Sequence, residues 1–175
     1  LRFDSKNGNL HKLLDEIGEV PLPPYVKRPP DVSDEERYQT IYAKNIGAIA
    51  APTAGLHFTD RLIKDIIAKG SVITYITLHV GYATFKPVRE EEIAKHKMHK
   101  ESYEISKEAA EAINKTKNKG GRVVCVGTTS CRALESFAVP QTTNHKQQTT
   151  KASTTLFIYP GYNFKMTDAL LTNFH

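Results

Sequence analysis

The sequence predicts an α/β fold, a largely parallel sheet with flanking helices, and three observations carry that expectation. Short β-branched apolar runs alternate with segments of helical period along most of the chain. The longest such run, Val72 to Val80, is apolar on both faces, as a strand covered from two sides should be. Capping residues and glycines stand where helices would start and stop. A hydrophobic content of 39% over 175 residues supports a real core, in one domain or one domain plus part of another.

Taken in order, Leu10, Leu13, Leu14 and Ile17 have helical spacing, with Asn9 as N-cap and Gly18 as stop. Five prolines within residues 21–30 then delete backbone donors and fix φ, which marks a domain boundary. Ser33 and Glu36 read as a capping-box pair for a short helix carrying Tyr38, Ile41 and Tyr42. Gly47 to Ala51 is expected to be a buried strand. Thr59 caps a helix whose Leu62, Ile63, Ile66 and Ile67 should face inward, and Gly70 ends it. Val72 to Val80 is expected as an interior strand. Ser106 opens a helix running to Lys119, stopped by Gly120-Gly121. Arg122 to Val126 is another buried strand and Thr129 to Phe137 another helix. The polar stretch 139–155 reads as a flexible loop, and Leu156 to Tyr159 as a return to strand.

The formal charge of +5 permits an anionic partner such as RNA without demanding one. Lys27, Arg28, Arg37, Lys44, Arg61, Lys64 and Lys69 would border an RNA groove or simply form a solvated basic surface. Cys125 and Cys131 make neither a disulfide framework nor a zinc-ribbon spacing, which suits a reducing, cytoplasmic compartment. No apolar run reaches membrane-spanning length, so no membrane partner is expected. Leu1 is not an initiator and LTNFH stops inside what reads as a continuing element, so the chain is expected to be a fragment truncated at both ends.

Five of the seven histidines fall in motif-like segments at the ends of expected strands. His57 follows the small-residue turn Pro52, Thr53, Ala54, Gly55, and His79 and Gly81 close the next strand. Ligands of open parallel sheets bind at such carboxyl ends. Gly127, Thr128, Thr129 and Ser130 lead from a strand into a helix, aiming amides and hydroxyls at an anion, with Arg132 adding charge. The same motif is equally a plain helix cap, and Glu135 is expected to pair with Arg132 along the helix. His96, His99 and Glu101 have a spacing that would hold a metal on a helix face. Without a third-ligand motif or HExxH, an acid–base cluster or charged surface run is preferred, and no metal is expected. Asn173 and His175 close the chain as polar groups or a cap.

Together these segments closely resemble the S-adenosylmethionine:tRNA ribosyltransferase-isomerases, a family of queuosine-pathway enzymes. The resemblance runs through GEVPLPPYVKR, RYQTIYAKN, GAIAAPTAGLHFT, ITLHVGYATFKPV, HKMHKESY, VVCVGTTSCRALES, LFIYPGYNFK and DALLTNFH, in that order. It implies transfer and isomerisation of the ribosyl part of S-adenosylmethionine onto 7-aminomethyl-7-deazaguanine at the tRNA wobble position. Epoxyqueuosine would form, with release of adenine and methionine. It also implies two domains, an α/β domain like an incomplete barrel and a small inserted β-barrel. Residues 1–24 would then be the tail of the inserted barrel and 25–175 the catalytic domain. One departure lies in the expected glycine before Thr84-Phe85, which is Ala83 here.

On that resemblance His57, His79 and His99 would transfer protons, with Glu101 orienting or sharing one. Pro52, Thr53, Gly55, Gly81, Gly127, Thr128, Thr129, Ser130, Arg132, Asn173 and His175 would bind substrate. S-adenosylmethionine is the expected cosubstrate, tRNA with a modified wobble base the expected partner, and a monomer the expected state. The rival expectation is a non-catalytic α/β module that binds RNA or a nucleotide.

Overall fold

A computed structural model describes residues 10–81, 98–138 and 149–173. In chain order it contains α1 (Leu10–Ile17), α2 (Val32–Arg37), a 3-10 turn (Thr53–His57), α3 (Asp60–Ala68) and β1 (Thr77–His79). There follow β2 (Glu101–Ile105), α4 (Lys107–Asn118), β3 (Val124–Val126), α5 (Thr128–Ala138), β4 (Thr150–Thr154) and β5 (Ala169–Leu171). Among the described residues, no helix is long and apolar enough to cross a membrane.

The expected largely parallel sheet is not what forms. The main sheet is three-stranded and antiparallel, in the order β1-β2-β4, and only the small β3–β5 pair is parallel. The central strand β2 explains the difference. Glu101, Tyr103 and Ile105 point into the core while Ser102 and Glu104 point away, a period of two that suits an antiparallel sheet with one open face. Its polar letters hide it within a charged run. Its partner β4, TKAST, is equally polar; threonines fit a pleated surface, and Ala152 and Thr154 turn inward opposite Tyr103 and Glu101. Residues 150–154 are therefore strand rather than loop; residues 139–148 lie outside the described residues.

Other expectations shift for local reasons. α2 is capped by Asp31, not Ser33, and its box partner is Asp34, because Asp31 accepts from Ser33 N–H and Asp34 reaches back to the Asp31 amide. Arg28 then clamps Asp34 through two short bonds of 2.6 and 2.7 Å. Gly47 to Ala51 forms no strand, although residues 42–50 run alongside residues 75–80. Asn45 donates to Thr77, and the amides of Ile49 and Ala50 both turn to the Val80 carbonyl. Gly47 breaks the ladder, with φ of 137°. Val72 to Val80 shortens to Thr77–His79, and Leu156 to Tyr159 is not strand.

Helix boundaries are better legible. Thr59 and Ser106 cap α3 and α4 by accepting from Leu62 and Ala109 amides, and Gly18 donates to Leu14 at the end of α1. The core lies between the inner face of the main sheet, α4, α5 and β3, and centres on Ile105, Ala109, Ala110, Ile113, Cys131 and Leu134. Among the described residues, α3 takes no part in it. Of the four residues expected inward, Leu62 and Ile67 are 39% and 53% exposed, while Ile63 and Ile66 are half-buried.

Candidate functional site

One end of the main sheet gathers several of the candidate residues. Antiparallel pairing sets His79, at the carboxyl end of β1, opposite Ser102, and sets Glu101, at the amino end of β2, opposite Thr154. His99 enters β2 two residues before Glu101 and is exposed. His79 and Glu101 therefore meet at one sheet end but on different faces. Directly opposed residues share a face, so His79 stands with Ser102 on the outer side, and Glu101 points inward with Tyr103.

On the inner side Glu101 binds Arg132, the central cation of the region. Arg132 Nη1 donates to Glu101 Oε2 at 2.6 Å, and Arg132 Nε donates to the Leu156 carbonyl at 2.8 Å. Both side chains are about nine-tenths buried, at 10% and 8% exposed. Arg132 Nη2 is buried without a hydrogen-bond partner among the described residues. Glu135 is not the partner that helical spacing suggests. It is fully buried and accepts the amides of Lys165, Met166 and Thr167 at 2.8–3.0 Å and the Tyr162 hydroxyl at 3.2 Å. Burial pushes the Glu135 carboxyl up, but the three amides outweigh it and hold it below the usual carboxylate range.

The second gathering is at the carboxyl end of the parallel pair. Gly127 leaves β3 with φ of 89°, a conformation open to glycine, and donates to the Leu171 carbonyl at 2.8 Å. This fixes the α5 start beside Thr172 and Asn173, which leave β5. The first bond of the helix runs from Cys131 N–H to Gly127. The amides of Thr128, Thr129 and Ser130 thus have no acceptor within α5 and point out of its positive end. α5 consequently joins the two sheet ends: its first turn serves β3–β5, and Arg132, in the next, reaches Glu101.

His57 belongs to a third element. Residues 49–51 run from the Val80 carbonyl to Pro52 and the 3-10 turn, which ends at an exposed His57. The turn is anchored through Gly55, whose Cα sits so close to Tyr42 that an added Cβ would lie 2.1 Å from its hydroxyl. His79 is seated in the same way against Gly47, where a Cβ would meet Nδ1 at 2.6 Å. Gly81 follows, and a Cβ there would meet nothing within 4 Å among the described residues.

Beneath α5 the two free cysteines share Thr167, with Sγ–Oγ1 distances of 3.4 Å from Cys125 and 3.6 Å from Cys131. The hydrogen bond that Cys125 donates to Cys131, with burial, pushes the Cys125 thiol up. These are packing groups.

The structure thus brings Glu101 and Arg132 together, sets Gly127 to Ser130 beside Asn173, and places His79 and His99 at the same sheet end. It does not seat His96, His99 and Glu101 on a helix face, because Glu101 begins a strand. Among the described residues no three His, Cys, Asp or Glu side chains are arranged to hold a metal ion. His175, His96 and the Ala83 segment lie outside the described residues. Sequence reasoning missed the Glu101–Arg132 pair and the Leu156 carbonyl, since a separation of 31 residues leaves no local signal.

A family model described as queuosine biosynthesis protein matches residues 1–175. A protein named S-adenosylmethionine:tRNA ribosyltransferase-isomerase from Halothermothrix orenii is 53% identical over 169 residues, covering 97% of this chain and 48% of that protein. A like-named protein from Cupriavidus pinatubonensis is 55% identical over 163 residues, covering 93% and 46%. The chain therefore spans about half the length of the curated relatives it matches. The crystal structure of an S-adenosylmethionine tRNA ribosyltransferase from Thermotoga maritima superposes with a TM-score of 0.53 at 38% identity. That match covers 70% of this chain and 36% of the other.

Proposed function

Since the chain belongs to the queuosine biosynthesis protein family, we propose that it supplies catalytic residues to an S-adenosylmethionine:tRNA ribosyltransferase-isomerase. The reaction moves the ribosyl group of S-adenosylmethionine onto the aminomethyl group of 7-aminomethyl-7-deazaguanine at the tRNA wobble position. It rearranges that sugar to the epoxycyclopentane of epoxyqueuosine, and adenine and methionine leave. Residues 25–175 belong to the catalytic domain and residues 1–24 to the tail of a small inserted one. The protein works in the cytoplasm, as a monomer and without a metal.

The observation that carries this reading is the joint made by α5. One helix sets an anion-accepting first turn beside Asn173 and a buried Arg132 beside the sheet end that bears His79 and His99. Two chemical demands match it. A base removes a proton from the carbon next to the sulfonium, which the positive sulfur already acidifies, and an acid protonates departing adenine. Histidines do both near neutral pH, so His57, His79 and His99 are assigned to proton transfer. Glu101, held by Arg132, orients groups at that end. Pro52, Thr53, Gly55, Gly81, Gly127 to Ser130, Arg132, Asn173 and His175 are assigned to substrate binding.

The test incubates full-length protein with S-adenosylmethionine and an anticodon stem-loop carrying the aminomethyl base, then follows adenine and methionine by chromatography. RNA-dependent release of both supports ribosyl transfer. S-adenosylhomocysteine would mean methyl transfer instead, and bound RNA with no product would mean a binding module.

A further inference from the structure

The unpartnered nitrogen of Arg132 identifies one part of the substrate site. A guanidinium is a rigid fork, so two bonds fix the plane in which the remaining donors lie. Here Nε is held by the Leu156 carbonyl and Nη1 by Glu101, with the side chain nine-tenths buried and Nη2 unsatisfied among the described residues. Burying a charged donor without an acceptor is costly unless something binds there. Helical side chains lean toward the N-terminus of their helix, which brings Arg132 toward the turn whose Thr128, Thr129 and Ser130 amides lack intrahelical acceptors.

We infer that Arg132 Nη2 and the first turn of α5 form a carboxylate subsite that takes the α-carboxylate of the methionyl part of S-adenosylmethionine, with Glu101 as the positioning residue for the guanidinium. The inference rests on the ribosyltransferase reading and deepens it. The electrostatics favour a monoanion, and the burial of Nη2 favours a small planar carboxylate over the bulkier phosphodiester of an RNA backbone. Glu101 already neutralises Arg132, and the helix end supplies only a partial positive charge of about half a unit. That suits a planar monoanion and leaves a dianion undercompensated.

The experiment compares S-adenosylmethionine with its decarboxylated analogue on the full-length protein, unaltered and carrying Arg132→Gln or Arg132→Lys. Adenine release gives KM and kcat, and calorimetry gives the affinity of each compound. The unaltered protein is expected to bind the decarboxylated compound about 10- to 100-fold more weakly, the usual range for a hydrogen bond to a charged group. Arg132→Gln should cut the preference to the few-fold that the α5 amides alone supply, mainly through KM, and Arg132→Lys should keep more of it. The ratio is internal to each variant, so a smaller folded fraction does not alter it.

Equal affinity for both compounds in the unaltered protein overturns the inference, as does undiminished preference in Arg132→Gln. A variant that instead raises the KM for the RNA, with the ratio unchanged, overturns it in favour of a phosphate contact. The two readings fail differently. Loss of adenine release in the unaltered protein counts against ribosyl transfer, whereas calorimetry reads the carboxylate subsite without turnover.

Discussion

Glu135→Ala should destabilise the protein more than any other single substitution near the site. Glu135 has no exposed surface and ties α5 to the segment that leads into β5 and Asn173. Its Oε1 holds the Met166 and Thr167 amides; its Oε2 holds the amide of exposed Lys165 and the Tyr162 hydroxyl. Lys165 can turn to water after the change, so two amides are stranded. At about 1.5–3 kcal/mol for each bond to a charged group, less the relief of no longer burying a carboxylate, the loss should be about 3–4 kcal/mol. That is a large share of the 5–15 kcal/mol typical of a whole domain. Glu135→Gln keeps an oxygen for Met166 and Thr167 and should lose only about 1–2 kcal/mol. Because the folded carboxyl titrates below its unfolded value of 4.5, its stabilisation is complete above that value. It fades as pH falls through the lower folded one. Urea unfolding at neutral pH, repeated on acidification, reads both effects. A loss under about 1 kcal/mol for the alanine variant, or equal losses for alanine and glutamine, would refute the reasoning.

Other outcomes follow from the same packing. Gly55→Ala should cost about 1–3 kcal/mol by urea unfolding, because its Cβ would strike the Tyr42 hydroxyl, and adding Tyr42→Phe should recover part of that. Gly47→Ala, strained by its positive φ and pressed on the His79 ring, should lower adenine release along with stability. His57→Ala and His99→Ala, at exposed positions, should leave the unfolding midpoint nearly unchanged and abolish turnover; near-normal turnover in either removes that residue from the mechanism. The Asp34 carboxyl, held by the Arg28 guanidinium at about 2 against a usual 3.8, stabilises the fold above the usual value and loses this as pH falls toward the lower one. An NMR titration of Arg28→Ala should show Asp34 moving back up.

Helix positions were legible because capping is local. Thr59 and Ser106 each accept the amide three residues on, and no distant residue is needed to see it. Strand pairing was not. β2 and β4 are polar by composition, and their inward residues are revealed only by the register that sets Tyr103 on Ala152 and Glu101 on Thr154. The run Gly47 to Ala51 misled in the other direction: its apolar letters suit a strand, but the positive φ of Gly47 leaves it to follow β1 through the Ile49 and Ala50 amides on the Val80 carbonyl. The site divides in the same manner. The helix start at Gly127 to Ser130 was legible from a glycine followed by hydroxyls. The pairing of Arg132 with Glu101, and the diversion of Glu135 to three distant amides, are tertiary and leave no trace in spacing.

The central claim is that α5, where the two sheet ends meet, is where S-adenosylmethionine sits. A crystal structure of the full-length protein with that cosubstrate tests it most directly. The account predicts the methionyl carboxylate within hydrogen-bond distance of Arg132 Nη2 and the α5 amides, with the sulfonium facing the end that bears His79 and His99. Cosubstrate bound elsewhere, with Arg132 contacting only Glu101 and Leu156, would contradict it.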